Sequence, residues 1–181
     1  MVCVFLAEGF EEVEAVATID FLRRAGLTVK TYTADRRAVK GSHGILVEAD
    51  ELVEKLKLDD TLQAVVLPGG LQGTQKLAAS EEISEAIRFA AENNKIVAAI
   101  CAAPSILGKM GLLKGRKAVC YPGFEKELTG AEVCEDDVVV SGNYITARAA
   151  GVTWQFAAAI VTALKSEQEA DAILRSIGWK K

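Results

Sequence analysis

Four short runs carry a strand signal along the chain: VCVFL (2–6), VKTYTA (29–34), AVVLPGG (64–70) and KIVAAIC (95–101). Their length and β-branched content predict buried strands. Between them the periodicity changes. EEVEAVATIDFLRRAG (11–26) sets Val13, Val16, Ile19 and Leu22 along one helical stripe, with Gly26 as its stop. SEEISEAIRFAAENN (80–94) opens on Ser80 as a cap and places a helix between the last two strands. The stretch between Ala38 and Asp50 alternates around Gly44 and predicts a hairpin or edge ribbon. Near the end, FAAAIVTAL (156–164) predicts a nearly all-apolar helix, and SEQE (166–169) a capping box that starts a final one.

Strand and helix alternate, so the fold class is α/β, with a mostly parallel sheet covered by helices on both faces. No Pro- or Ser-rich linker divides the 181 residues, and one domain over 1–181 is expected. Half of the residues are hydrophobic and the net charge is only -4. A sizeable core is available, and no basic surface invites nucleic acid, so the expected partner is a small molecule. The apolar runs fall short of the roughly 20 residues a membrane span needs, and no leader pattern opens the sequence; a cytoplasmic location with no membrane contact is expected. Cys3, Cys101, Cys120 and Cys134 lack the close pairing of a metal site or a disulfide framework. No metal is expected.

Chemistry concentrates where predicted strands end. AAICAAP (98–104) puts Cys101 at a strand-to-helix corner, because PSILGKMGLL (104–113) resumes helical spacing. Ligands bind beyond the carboxyl ends of parallel strands. A helix starting after Cys101 aims its positive dipole end at the sulfur and favours thiolate over thiol, and the Ala102 N–H can serve an oxyanion. A small core residue remains the alternative for Cys101. LPGG (67–70) ends a second strand in the same manner: Gly69 and Gly70 allow close approach of backbone, and Gly70 can offer another N–H, unless this is an ordinary strand-exit turn. Glu14 lies at the edge of the first helix's apolar stripe, partly buried, unlike Glu11 and Glu12, and a carboxyl drawn into an apolar site stays protonated. A solvated glutamate is its other reading. The single histidine, His43, falls in the hairpin as an exposed-turn residue, so proton transfer falls to Glu14.

With AAICAAP, LPGG and GFEEVEAV (9–16) on three strand ends, the sequence resembles the ThiJ/PfpI superfamily, also called the DJ-one superfamily. Within it, the likeness is closest to the branch of the parkinsonism-linked protein deglycase and bacterial YajL. It extends through LRRAG (22–26), LPGGLQGTQKL (67–77), CYPGFE (120–125) and ITARAAGVTWQFAAAIV (145–161). The resemblance implies a flavodoxin-like three-layer sandwich. It implies Cys101 as an oxidisable nucleophile, Glu14 as a protonated acid bonded to it, and the N–H groups of Gly70 and Ala102 as an anion pocket. It further implies a homodimer with the first helix near the interface, so that Arg24 faces the neighbouring subunit's pocket. Tyr121 stands where human-type members carry histidine, and His43 where they carry arginine. TARAAG lacks their glycine-proline step around Arg148 and Ala149.

Two functions share these residues. In one, the Cys101 thiolate adds to a 2-oxoaldehyde such as methylglyoxal or glyoxal, or to its adduct on an amine or thiol. Glu14 then moves a proton between the carbons and hydrolysis releases a 2-hydroxy acid, without cofactor or glutathione. This is glyoxalase III or protein deglycase activity, as the resemblance implies. In the other, Cys101 is oxidised to sulfinate and the dimer serves as an oxidative-stress sensor or redox-regulated chaperone. Ala102 argues against the family's peptidase branch, which has histidine after the cysteine. No phosphate-cradling glycine-lysine loop supports a kinase.

Overall fold

The computed structural model describes residues 1–180. Eleven strands occur among them: β1 (Val2–Phe5), β2 (Val29–Thr33), β3 (Ala38–Lys40), β4 (Leu46–Glu48), β5 (Glu51–Leu52), β6 (Ala64–Leu67), β7 (Ile96–Ile100), β8 (Lys117–Ala118), β9 (Glu132–Val133), β10 (Val138–Ser141) and β11 (Tyr144–Ala147). Six α-helices accompany them: α1 (Glu12–Arg24), α2 (Leu71–Ala79), α3 (Glu81–Glu92), α4 (Pro104–Lys109), α5 (Thr153–Leu164) and α6 (Glu167–Ser176). Seven strands form one sheet in the order β10-β11-β7-β6-β1-β2-β5, parallel throughout except for the β10–β11 hairpin. The predicted ribbon is the separate antiparallel pair β3–β4, with Val39 opposite Val47.

Period-two alternation explains why the central strands read as continuous apolar runs. In β1, Val2 and Val4 enter one core, with α1, α5 and α6, while Cys3 and Phe5 enter the other, with α3 and α4. Val66 and Val65 of β6, and Ala98 and Ala99 of β7, divide in the same way. Both faces of the sheet are covered, so neither tolerates a polar row. Ser80 caps α3 by accepting from the Ile83 N–H at 3.3 Å, and Ser166 caps α6 by accepting from the Glu169 N–H. No helix among the described residues is long and apolar enough to cross a membrane.

The apolar stripe expected on α1 is displaced. Val13 and Val16 are 54% and 46% exposed; the inward face is built from Glu14, Ala15, Thr18, Phe21 and Leu22 instead. Small residues there let α1 lie close against α5, itself rich in alanine. Glu12, expected in solvent, is buried as well, because its carboxyl seats in the β3–β4 turn.

The chain runs outward from β1 to β2 and later returns to add β6 and β7 on the other side of β1. The strand order therefore reverses between β1 and β6, the position where parallel sheets open a crevice at their carboxyl ends.

Candidate active site

Three strand ends meet at that crevice. β7 delivers Cys101, whose φ of 65° lies in the left-handed region; Asn94 is the only other non-glycine residue among those described to adopt it. Such a conformation costs about 1–3 kcal/mol and persists only when neighbours over-determine it. Here the Cys101 N–H donates to the Ala147 carbonyl at 2.9 Å, and the Cys101 carbonyl accepts from the Tyr121 N–H at 2.7 Å. Residues 101–103 form a turn, and α4 begins at Pro104, where a missing N–H is harmless. The backbone N–H groups of Gly70 and Ala102 lie near the sulfur and favour its anion.

β6 delivers Gly69 and Gly70. A Cβ on Gly69 would fall 2.6 Å from the Cys101 Cβ and 2.7 Å from Oε2 of Glu14, so only glycine fits between them. The loop after β1 leads into α1, which holds Glu14 at 1% exposure. Its Oε2 accepts the Gly69 N–H at 2.7 Å, while Oε1 is buried without a hydrogen-bond partner. The carboxyl lies beside Cys101, close enough for each group to shift the other's protonation. Burial raises Glu14 to about 7, against the Gly69 N–H and the neighbouring Cys101 thiol, with the charge of Glu11 adding to the rise. The expectation of a protonated acid at this position agrees with that direction.

The expectation of a favoured thiolate does not. Burial first, and then the negative charge of Glu14, push the Cys101 thiol up to about 12, and the N–H groups of Gly70 and Ala102 only partly oppose them. The helix dipole is too weak to reverse this: α4 is six residues long and starts three residues beyond the sulfur. Because the ionised Glu14 is the second cause of the rise, a sulfur anion forms most readily once Glu14 carries the proton.

The side chains of the remaining candidates make other contacts. Arg24 is half exposed and pairs with Asp20 at 2.7 Å, within its own helix. Arg148, with Cys120, Pro122, Glu125 and Cys134, lines a cavity of about 210 Å³ to which Cys101 does not contribute. Tyr121 is 46% exposed and touches the centre through its backbone rather than its ring. His43 sits in the β3–β4 turn with Nδ1 3.0 Å from Oε2 of Glu12 and 3.5 Å from Oε1 of Glu11, and the bond to Glu12 raises its pKa. Residue spacing alone does not show the two backbone ties on Cys101, from Ala147 and Tyr121, since both depend on which strands and loops become neighbours.

A thiol held on a strained corner, with backbone N–H groups and a buried acid nearby, defines a cysteine-centred site in an α/β protein. The profile of the DJ-1/PfpI family matches residues 1–163, and the chain belongs to that family. It is 39% identical over 162 residues to Protein DJ-1 homolog B of Arabidopsis thaliana, a match covering 88% of this chain but 37% of that protein. The chain thus spans well under half the length of this relative. It is 31% identical over 166 residues to a protein of Pyrococcus abyssi named a deglycase, covering 91% of this chain and 99% of the relative. The solved structure of Toxoplasma gondii DJ-1 in its oxidized form superposes with a TM-score of 0.95 at 32% identity, over 99% of this chain and 98% of the other.

Proposed function

We propose that this protein is a cofactor-independent glyoxalase III or protein deglycase that acts on small 2-oxoaldehydes, or on their adducts with amines and thiols, through Cys101. The observation that carries the reading is the buried Glu14 carboxyl packed beside the strained Cys101 corner, with only glycine fitting between them at Gly69. The thiol adds across the aldehyde of methylglyoxal, forming a C–S bond, and its proton ends on the new hydroxyl. Glu14, in its ionised form, then takes the proton from the thiol-bearing carbon and delivers it to the neighbouring carbonyl carbon, while the hydroxyl proton passes to the neighbouring oxygen and leaves a thioester. The negative oxygen of the enediolate that forms in between lies against the N–H groups of Gly70 and Ala102. Water cleaves the resulting thioester, giving lactate and the free thiol. The name of the Pyrococcus abyssi relative is in keeping with this chemistry. Lactate appearing from methylglyoxal without glutathione, and absent with Cys101→Ser, is the expected result; no lactate from the wild-type chain contradicts it.

A second reading rests on the same sulfur. The Toxoplasma relative has been solved oxidized, and a sulfinate on Cys101 would find the Gly70 and Ala102 N–H groups and a protonated Glu14 as donors. Peroxide would supply both oxygens in two steps, each releasing water. This reading predicts one oxidation per chain and no turnover.

We further propose a homodimer that packs on α1, where Val13 and Val16 are exposed, together with the exposed Ile45 and Leu46 of the neighbouring ribbon. Arg24, at the far end of α1, then faces the partner. Val16→Glu is expected to convert a dimer into a monomer in size-exclusion chromatography with light scattering; an unchanged mass removes α1 from the interface.

A further inference from the structure

A second cluster of reactive side chains lies one helical turn from Glu14 and takes no part in the chemistry above. The β3–β4 turn carries Ser42 and His43, and the start of α1 carries Glu11 and Glu12. The ligand atoms of Glu11, Glu12 and His43 all lie within 4.8 Å of one another. The Ser42 hydroxyl adds a fourth, 3.1 Å from Oε2 of Glu11, 3.1 Å from Oε2 of Glu12 and 3.0 Å from Nδ1 of His43.

We propose that Glu11, Glu12 and His43, with the Ser42 hydroxyl or a water in its place, form a binding site for a first-row divalent cation such as zinc. The separations are those of a coordination shell. Donors about 2.1 Å from such an ion and about 90–110° apart lie about 3.0–3.4 Å from each other. Nδ1 of His43 is 3.0 Å from Oε2 of Glu12 and 3.5 Å from Oε1 of Glu11.

The two oxygens of Glu12 are treated differently, as a ligating carboxylate requires. Oε1 is fixed by the backbone N–H of His43 at 2.7 Å and of Ile45 at 3.3 Å. Oε2 meets only the Ser42 hydroxyl and the His43 ring, both of which can turn away. Backbone bonds to one oxygen hold the other in place, the outer-shell support that metal-binding carboxylates show. The seat is also cut to shape: a Cβ on Gly41 would overlap the Glu12 carboxyl. The Glu12 side chain is 6% exposed, whereas His43 is 71% exposed and gives an ion its way in.

Charge favours the same occupant. Two carboxylates and a neutral imidazole balance a doubly charged ion. One ring nitrogen among oxygens suits zinc, cobalt or manganese better than the all-oxygen preference of calcium and magnesium. Sequence spacing conceals the site because His43 lies 31 residues beyond Glu12, and only the packing of the ribbon on α1 joins them.

The test is a titration of the full chain carrying Cys101→Ser with Co²⁺, followed by absorption, and with Zn²⁺ by calorimetry. One ion per chain is expected, with weak d–d bands and no thiolate charge-transfer band. Affinity should fall by at least about tenfold in both His43→Ala and Glu11→Gln, neither of which touches a fully buried position, with unchanged circular dichroism. Absence of stoichiometric binding overturns the proposal. So does binding that survives both substitutions, or a charge-transfer band that assigns the ion to Cys120 or Cys134.

Discussion

Glu14→Gln is expected to lower turnover of methylglyoxal by about 10²-fold or more, the usual share of a positioned acid–base group, and at the same time to make the protein more stable. The gain follows from linkage. Folding raises the Glu14 carboxyl to about 7 from the ordinary 4.5, chiefly by burial. Below the lower value both folded and unfolded chains hold the proton, and the group adds no pH dependence. Between the two values the unfolded chain has lost its proton while the folded chain keeps it, so stability falls as pH rises, and above 7 the loss is complete. A tenfold change in proton affinity is worth about 1.4 kcal/mol, so the loss amounts to about 3 kcal/mol. Glutamine keeps an acceptor for the Gly69 N–H and never ionises. Urea unfolding of both proteins at about pH 4.5 and about pH 8, on either side of the titration, measures the effect: similar stabilities at the lower pH, and the variant ahead at the higher. Parallel stabilities at both would mean that the carboxyl is ordinary and solvated.

The second large effect is a backbone one. Gly70 has φ of 89°, and a Cβ there would run into the Gly9 carbonyl oxygen and lie 2.7 Å from the Glu11 nitrogen. Those atoms belong to the loop that carries α1 and cannot swing aside as a side-chain tip would. Gly70→Ala is therefore expected to cost about 3–4 kcal/mol, a large part of a domain's usual 5–15 kcal/mol, and to turn the N–H away from the Cys101 sulfur. Gly151→Ala is the control, since no atom lies within 4 Å of its Cβ position. Equal unfolding midpoints for the two variants would contradict the tight crossing at Gly70.

Much of this arrangement is legible in the residues alone. β1, β6 and β7 lie at the centre of the sheet, covered on both faces, and a strand with no polar row announces itself as an apolar run. α3 and α6 carry serine caps that mark their starts. Cys101, Gly70 and Glu14 can be placed because each follows a strand end, and strand ends share one edge of a parallel sheet. Legibility fails where packing outweighs pattern. β11 enters the sheet beside β7 through a hairpin with β10 that its own residues do not announce, and α2 follows LPGG with little periodicity of its own. Val13 and Val16 look like core residues at helical spacing, yet α1 turns them outward because Ala15 and Thr18 permit a closer approach to α5. The expected thiolate fails for a similar reason: a dipole can be read from order along the chain, but the burial of Cys101 and the charge of Glu14 belong to the folded crevice.

Turnover per thiol separates the two uses of Cys101 more directly than any structural probe. Purified protein would be mixed with a large molar excess of methylglyoxal without glutathione, lactate counted per chain, and the mass of the Cys101-containing peptide recorded at the end. Many lactates per chain, an unmodified Cys101 at completion and no lactate from Cys101→Ser are the results predicted for a catalytic thiol. One equivalent of methylglyoxal consumed, with Cys101 permanently modified and no lactate released, would contradict it.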